Sequence, residues 1–162
     1  MKQDLKNATI KFKDGGSNSI EVKIGDGNLT YKESRPIQYE LDKGRLDTVR
    51  EGDEVPVDVS LGFNWEWIKS DGSELATPVE VLKKEGAASA WVTSSSDACE
   101  PYCVDLEVTL APRCSDGTKG EVILLSDFRY EDLSFDLKAG QISCSGKCNI
   151  TKATTTRSTI AS

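Results

Sequence analysis

Apolar and polar residues alternate with a period of two over most of this chain, which is the pattern of β-strands that bury one face. The longest alternating run covers residues 55–68. Its apolar positions are Val57, Val59, Leu61, Phe63, Trp65 and Trp67, and its hydrophilic positions include Asp58, Ser60, Asn64 and Glu66. At about 3.3 Å per residue, the run predicts a strand about 40 Å long with one buried and one hydrated face.

Shorter runs with the same alternation predict further strands, and one segment predicts a helix. Residues 20–24 and 29–33 flank a Gly-rich turn, which is typical of a hairpin, and similar runs cover residues 37–41, 102–110, 121–125, 133–137 and 141–151. Thr77 and Glu80 form a capping box around Pro78, which predicts a short helix over residues 78–85. The chain is therefore predicted to be mainly β: one antiparallel β-sandwich domain over residues 1–162, with one short α-helix and an extended Thr/Ser-rich tail at residues 152–162.

The charge and composition of the chain argue against several classes of protein. The 162 residues carry 20 Lys and Arg against 27 Asp and Glu, and the net charge of −7 excludes a strongly basic nucleic-acid reader. Histidine is absent, which removes Ser-His-Asp and Cys-His catalysis and His-ligated metals. No apolar run is long enough for a bilayer and the first residues lack the apolar core of a secretory signal. We therefore expect no enzyme activity, no cofactor, and folding in a reducing cytoplasm.

The five cysteines invite a metal-site interpretation, but their spacing favours buried thiols. Cys144 and Cys148 share one face of a predicted strand, so their Cα atoms lie about 13 Å apart, too far for one metal ion or a mutual disulfide. An apolar face around them indicates small structural side chains. Two alternatives stay open: a disulfide formed after release from the cell among Cys99, Cys103 and Cys114, or a metal site.

Residues 42–54 form a charged segment that is predicted to be a long loop. The segment carries five acids and three bases, and it is far longer than a turn between two strands requires. One hypothesis is an arm between subunits, with Leu46 and Val49 as apolar anchors. Its charged side chains would then pair with another copy of the chain; these are Arg45, Asp47, Arg50 and Glu51. The alternative is a solvated flap without a partner.

The order of these elements resembles the major tail tube proteins of long-tailed, siphovirus-like bacteriophages. The resemblance covers residues 9–157, and it is carried by the hairpin, charged segment and long strand of residues 20–68, by CEPYCVDLEVTL at residues 99–110, and by the terminal hairpin of residues 127–151. It implies a β-sandwich that forms hexameric rings stacked into a hollow tube for genomic DNA. It also implies assembly in the host cytoplasm, a place in the virion tail, and contacts with the tail terminator, tape measure and baseplate proteins.

A tube subunit must present a surface that lets DNA slide, and the hydrophilic face of residues 55–68 has suitable residues. Double-stranded DNA carries one charge per about 1.7 Å of its axis, so acidic or small neutral side chains do not retain it. We therefore expect Asp58, Ser60, Asn64 and Glu66 to face the lumen. Two other interpretations remain: a monomeric or trimeric decoration or binding module on a virion, and the tube protein of a contractile injection system. The mass of the protein in solution distinguishes the decoration module from a tube subunit.

Overall fold

The computed structural model describes residues 8–24, 27–65, 68–69, 75–97, 99–111 and 119–159, and it confirms the predicted fold class of a mainly β, antiparallel sandwich with one short α-helix. The strands are β1 (Ala8–Lys13), β2 (Ser19–Val22), β3 (Leu29–Lys32), β4 (Ile37–Asp42), β5 (Arg45–Glu51), β6 (Val57–Asn64), β7 (Ile68–Lys69), β8 (Leu75–Ala76), β9 (Val104–Leu110), β10 (Lys119–Asp136), β11 (Gln141–Cys148) and β12 (Thr154–Thr159). The helix is α1 (Pro78–Lys83), and a single 3-10 turn follows at Gly86–Ala88.

The 18-residue strand β10 belongs to both layers of the sandwich. Its first part pairs with β9 on one side and β12 on the other, which gives a first layer in the order β2-β1-β9-β10-β12. Its second part pairs with β11, which gives a second layer in the order β10-β11-β6-β3. The ladder slips between Leu125 and Phe128, and Asp127 adopts a φ of 58°. A bulge of this kind bends a strand, so it turns β10 from one layer into the other.

The two layers meet through their apolar faces. Phe12 of β1 and Phe63 of β6 pack edge to face with their ring centroids 6.2 Å apart, which joins the first layer to the second. Every second residue of β6 and β9 is buried, as the alternation predicts for half-buried strands. Helix α1 adds Val79, Val81 and Leu82 to the core. Its N-cap Thr77 accepts a hydrogen bond from the Glu80 N–H at 3.3 Å, as predicted.

The prediction of one long strand over residues 55–68 is wrong in length. The strand β6 ends at Asn64, because its partner β11 begins at Gln141, directly opposite, and offers no further ladder. The Trp65 N–H then bonds to the Gly140 carbonyl at 2.8 Å, and the Trp65 side chain is exposed rather than in the core. Glu66 and Trp67, which were predicted to belong to the same strand, lie outside the described residues.

Three further predictions, on the helix end, the capping box and the charged segment, need correction. Helix α1 ends at Lys83 rather than at residue 85, because Lys84 takes the left-handed conformation and its N–H caps the Glu80 carbonyl. The Glu80 carboxylate accepts from the Ala87 N–H at 2.7 Å instead of closing the capping box. The tail predicted to be extended contains β12, an extended strand that pairs with β10. The predicted loop at residues 42–54 is mostly strand, since β5 pairs with β4 in a separate two-stranded sheet.

Candidate assembly surfaces

The sheet of β4 and β5 is a hairpin closed by a two-residue turn at Lys43 and Gly44. These residues have φ values of 53° and 79°. Positive φ at both central positions is the type I′ geometry, whose twist matches the twist of the flanking strands, and glycine adopts it without steric cost. The charged segment that was predicted to be a long loop therefore contains the turn and the second strand of a β-hairpin.

A bulge at Asp47 makes this hairpin amphipathic. Thr48 lies opposite Glu40 while Leu46 lies opposite Leu41, so Asp47 is the extra residue on β5. Leu46 and Val49 are three positions apart and would point to opposite faces of an unbroken strand. The extra residue brings both to the face shared by the cross-strand pairs Tyr39–Val49 and Leu41–Leu46. We call this set the apolar hairpin face: Tyr39, Leu41, Leu46 and Val49.

The apolar hairpin face is uncovered in the single chain. The exposed fractions are 62% for Tyr39, 63% for Leu41, 75% for Leu46 and 61% for Val49. The opposite face is held together by polar contacts: Arg50 pairs with Glu40 at 2.8 Å and donates through Nε to Gln38 Oε1 at 3.1 Å. A two-stranded hairpin is at best marginally stable in water without a packed face. The bare apolar face therefore has the character of a contact surface.

The structure separates the predicted contact residues into two groups. Leu46 and Val49 lie on the apolar hairpin face, as an anchoring role requires. Three of the four charged residues predicted to pair with another copy already have neighbours in their own chain: Arg50 bonds to Glu40, Glu51 pairs with Arg35 at 3.2 Å, and Arg45 lies opposite Asp42. The fourth, Asp47, is the exposed bulge residue.

Sequence reasoning missed two members of the apolar hairpin face, Tyr39 and Leu41. Their alternation was visible and was assigned to a strand of the sandwich. The Lys43-Gly44 pair after that strand was the feature that could have identified the hairpin.

A second surface is the outer face of the second layer, which contains the residues predicted to face a lumen. Asp58 and Ser60 are exposed and Asn64 is half-buried on one side of β6, while Glu66 lies outside the described residues. Asp58 lies between Lys32 of β3 and Lys147 of β11.

The neighbouring strands add charges of both signs to this outer face. The Lys147 ammonium is 3.9 Å from the Asp58 carboxylate. The next row across the sheet consists of Thr30, Ser60, Ser145 and the exposed Asp132 of β10. The face therefore combines small neutral side chains with mixed charge, because neighbouring strands contribute lysines and an aspartate that the run at residues 55–68 does not contain.

The outer edges of the layers are a third candidate surface. Within the part of the chain that the structure describes, β3 pairs only with β6 and β12 pairs only with β10, so each has one edge without a strand. Unpaired strand edges present backbone N–H and C=O groups that can pair with another chain. Edges on two different layers allow one copy to contact a neighbour on each side.

The cysteines do not form a functional cluster in the described residues. Cys103, Cys144 and Cys148 are buried free thiols, as predicted for Cys144 and Cys148, and Cys99 is an exposed free thiol. Burial raises the pKa of Cys144 and of Cys148 to about 12, which keeps both thiols protonated. Cys114 lies outside the described residues. Among those described, no group of His, Cys, Asp or Glu residues is arranged to hold a metal ion.

No family model matches the chain, and no curated protein matches it. None of the helices among the described residues combines the length and apolar character needed to cross a membrane.

Proposed function

We propose that this protein is a structural subunit of a bacteriophage tail tube, which assembles with its own copies into stacked hexameric rings around a channel for genomic DNA. The observation that carries the proposal is the apolar hairpin face, which extends a bare apolar surface beyond the sandwich. The role is architectural: the subunit contributes shape and contacts to the virion rather than catalysis. Its other contacts would be with the tail terminator, tape measure and baseplate proteins.

The exposed hairpin supplies a driving force for association between copies. Complete burial of a Leu or Val side chain contributes about 1.5–3 kcal/mol. Leu41, Leu46 and Val49 each leave three-fifths or more of their surface exposed. Covering these three side chains is therefore worth about 3–6 kcal/mol per copy before the entropic cost of association. A contact of this size is repeated in every subunit, so it accumulates along a polymer.

The open strand edges and the outer face of the second layer support the ring and the channel. A head-to-tail contact through different surfaces closes into a ring when the rotation between copies allows it. The edges of β3 and β12 are suited to such contacts, because each can extend its layer into the neighbour. The outer face of β6 would then line the channel with Asp58, Ser60 and Asn64. Small neutral side chains and two lysines balanced by Asp58 and Asp132 give DNA no strong binding site.

The test of this proposal is the assembly state of the purified full-length protein. Light scattering after size exclusion should show species much larger than the 17.7 kDa chain as the concentration rises. Negative-stain microscopy should show rings with a central hole and tubes of constant diameter. A protein that remains monomeric or trimeric at every concentration would refute the tube proposal and support a decoration module instead.

A further inference from the structure

A second exposed apolar surface lies at the end of the β10–β11 hairpin. Trp65 and Phe135 pack against each other with ring centroids 5.5 Å apart, and 40% and 43% of their surfaces remain exposed. Leu137, in the turn that follows β10, is 75% exposed. The Lys83 ammonium of α1 lies 5.5 Å from the centre of the Phe135 ring. We call this set the aromatic end patch: Trp65, Phe135, Leu137 and Lys83.

The aromatic end patch and the apolar hairpin face lie at opposite ends of the second layer. The β4–β5 hairpin is inserted between β3 and β6, at the end where Lys32 pairs with Asp58. Trp65 follows the other end of β6, where Asn64 pairs with Gln141. The eight residues of β6 separate the two ends by about 23 Å of strand. Each copy therefore carries one bare apolar surface at each end of the same sheet.

We infer that the apolar hairpin face of one copy docks on the aromatic end patch of the next copy along the stack. This inference rests on the proposed function and names the surface that receives the hairpin. Two different surfaces at opposite ends give a contact that does not close on itself, so a third copy can always add.

The charges around the two surfaces fit this contact. Lys83 and the exposed Lys138 flank the patch, while the hairpin presents Asp47 at its bulge; the hairpin tip is not acidic, since Asp42 lies there opposite Arg45. Opposite charges at the rim of an apolar contact fix its register more than they add to its affinity. A second copy is therefore a better occupant than a partner without acidic groups beside its apolar surface.

A mixing experiment with two defective variants tests the direct contact. The hairpin variant carries Leu46→Asp and Val49→Asp, and the patch variant carries Leu137→Asp and Lys138→Glu. All four positions are exposed, so each variant should keep the native unfolding midpoint. Each variant alone should need at least a hundredfold higher concentration to elongate, since each lacks one of the two surfaces.

The mixture should behave differently from either variant alone. The patch variant retains an intact hairpin and the hairpin variant retains an intact patch, so one junction forms between them and elongation then stops. Sedimentation of a 1:1 mixture should show this short species. Two matched controls, Gln38→Asp on the polar side of the hairpin and Ser17→Asp in the turn between β1 and β2, add a carboxylate elsewhere and should elongate like the native protein.

A cross-link provides a readout that does not depend on loss of assembly. In a Cys99→Ser background, Leu46→Cys with Leu137→Cys should give a ladder of disulfide-linked multimers when assembled protein is oxidised. The pair Gln38→Cys with Leu137→Cys should give at most a fifth of that yield, because Gln38 lies on the other side of the hairpin.

The outcomes separate this inference from the proposed function. If native protein forms tubes but the patch variant elongates equally well, the hairpin docks elsewhere and the inference is overturned while the tube proposal stands. If both variants fail alone and their mixture gives no junction and no specific cross-link, the two surfaces do not meet and the inference is again overturned. If native protein forms neither rings nor tubes, the proposed function fails, and the inference fails with it.

Discussion

Two leucines in contrasting positions allow a quantitative test of the assembly argument. Leu46 on the hairpin is 75% exposed, whereas Leu61 on β6 is 1% exposed. The same substitution, Leu→Ala, should therefore act on different equilibria. Leu46→Ala should leave the folding of the free subunit nearly unchanged, within about 0.5 kcal/mol, because an exposed side chain makes few contacts. Leu61→Ala should lower the free energy of unfolding by about 2–5 kcal/mol, since it opens a cavity in a packed core.

The effect of Leu46→Ala on assembly follows from the area that the side chain still has to bury. Three-quarters of a leucine contribution of about 2 kcal/mol gives about 1.5 kcal/mol per subunit. A difference of about 1.4 kcal/mol is a factor of ten in an equilibrium constant, so the critical concentration for tube growth should rise about tenfold. Leu61→Ala should not change the critical concentration of those subunits that are folded.

Both quantities can be measured on the same preparations. Sedimentation or light scattering gives the critical concentration, and urea unfolding followed by circular dichroism below that concentration gives the stability of the free subunit. The reasoning is refuted if Leu46→Ala destabilises the free subunit as much as Leu61→Ala does, or if its critical concentration equals that of the native protein. Either result would mean that the hairpin does not use its apolar face between copies.

Three other predictions concern the subunit itself. Cys144 and Cys148, buried and with pKa raised to about 12, should react with a thiol reagent at pH 8 only in denaturant, whereas exposed Cys99 should react in the folded protein, and equal rates would contradict the buried geometry. Burial is the main cause of the raised pKa of Asp105, so the folded state holds the carboxyl proton more tightly than the unfolded chain does. The free energy of unfolding should therefore fall as pH rises from the pKa of Asp105 in the unfolded chain to its pKa in the folded state. Asp105→Asn should therefore gain stability over the native protein with rising pH in urea unfolding, and a difference that is constant with pH would rule this out. Thr77→Ala should lower the unfolding free energy by about 1 kcal/mol through loss of the helix cap, while Thr77→Ser should preserve it.

The buried faces of the strands were predictable from the sequence because successive side chains of a strand point to opposite faces. Apolar residues at every second position therefore mark the buried face. Val57, Val59, Leu61 and Phe63 are all in the core, and Cys144 and Cys148 share the buried face of β11. The cap of the helix at Thr77 was predictable for a similar reason, since it depends only on neighbouring residues. Features set by local sequence therefore agree between prediction and structure.

Features that depend on distant partners were not predictable. The strand β6 ends at Asn64 because β11 begins opposite it, 77 residues later in the chain at Gln141. The hairpin face was hidden because the bulge at Asp47 realigns Leu46 with Val49, which have opposite parity in the sequence. The full charge pattern of the outer face was hidden because Lys32, Lys147 and Asp132 come from other strands.

The topology also sets the order in which the two assembly surfaces can form. The β4–β5 hairpin involves only residues 37–51, and hairpins of this kind close in about 1–10 μs. The aromatic end patch needs Trp65 beside Phe135, and β1 must pair with β9 across roughly a hundred residues before the sandwich is complete. During synthesis, a chain could thus form its β4–β5 hairpin long before it has the aromatic end patch that receives the hairpin of another copy. An incomplete chain would offer no patch to the next copy, so a polymer that grows by this contact would continue only from finished subunits.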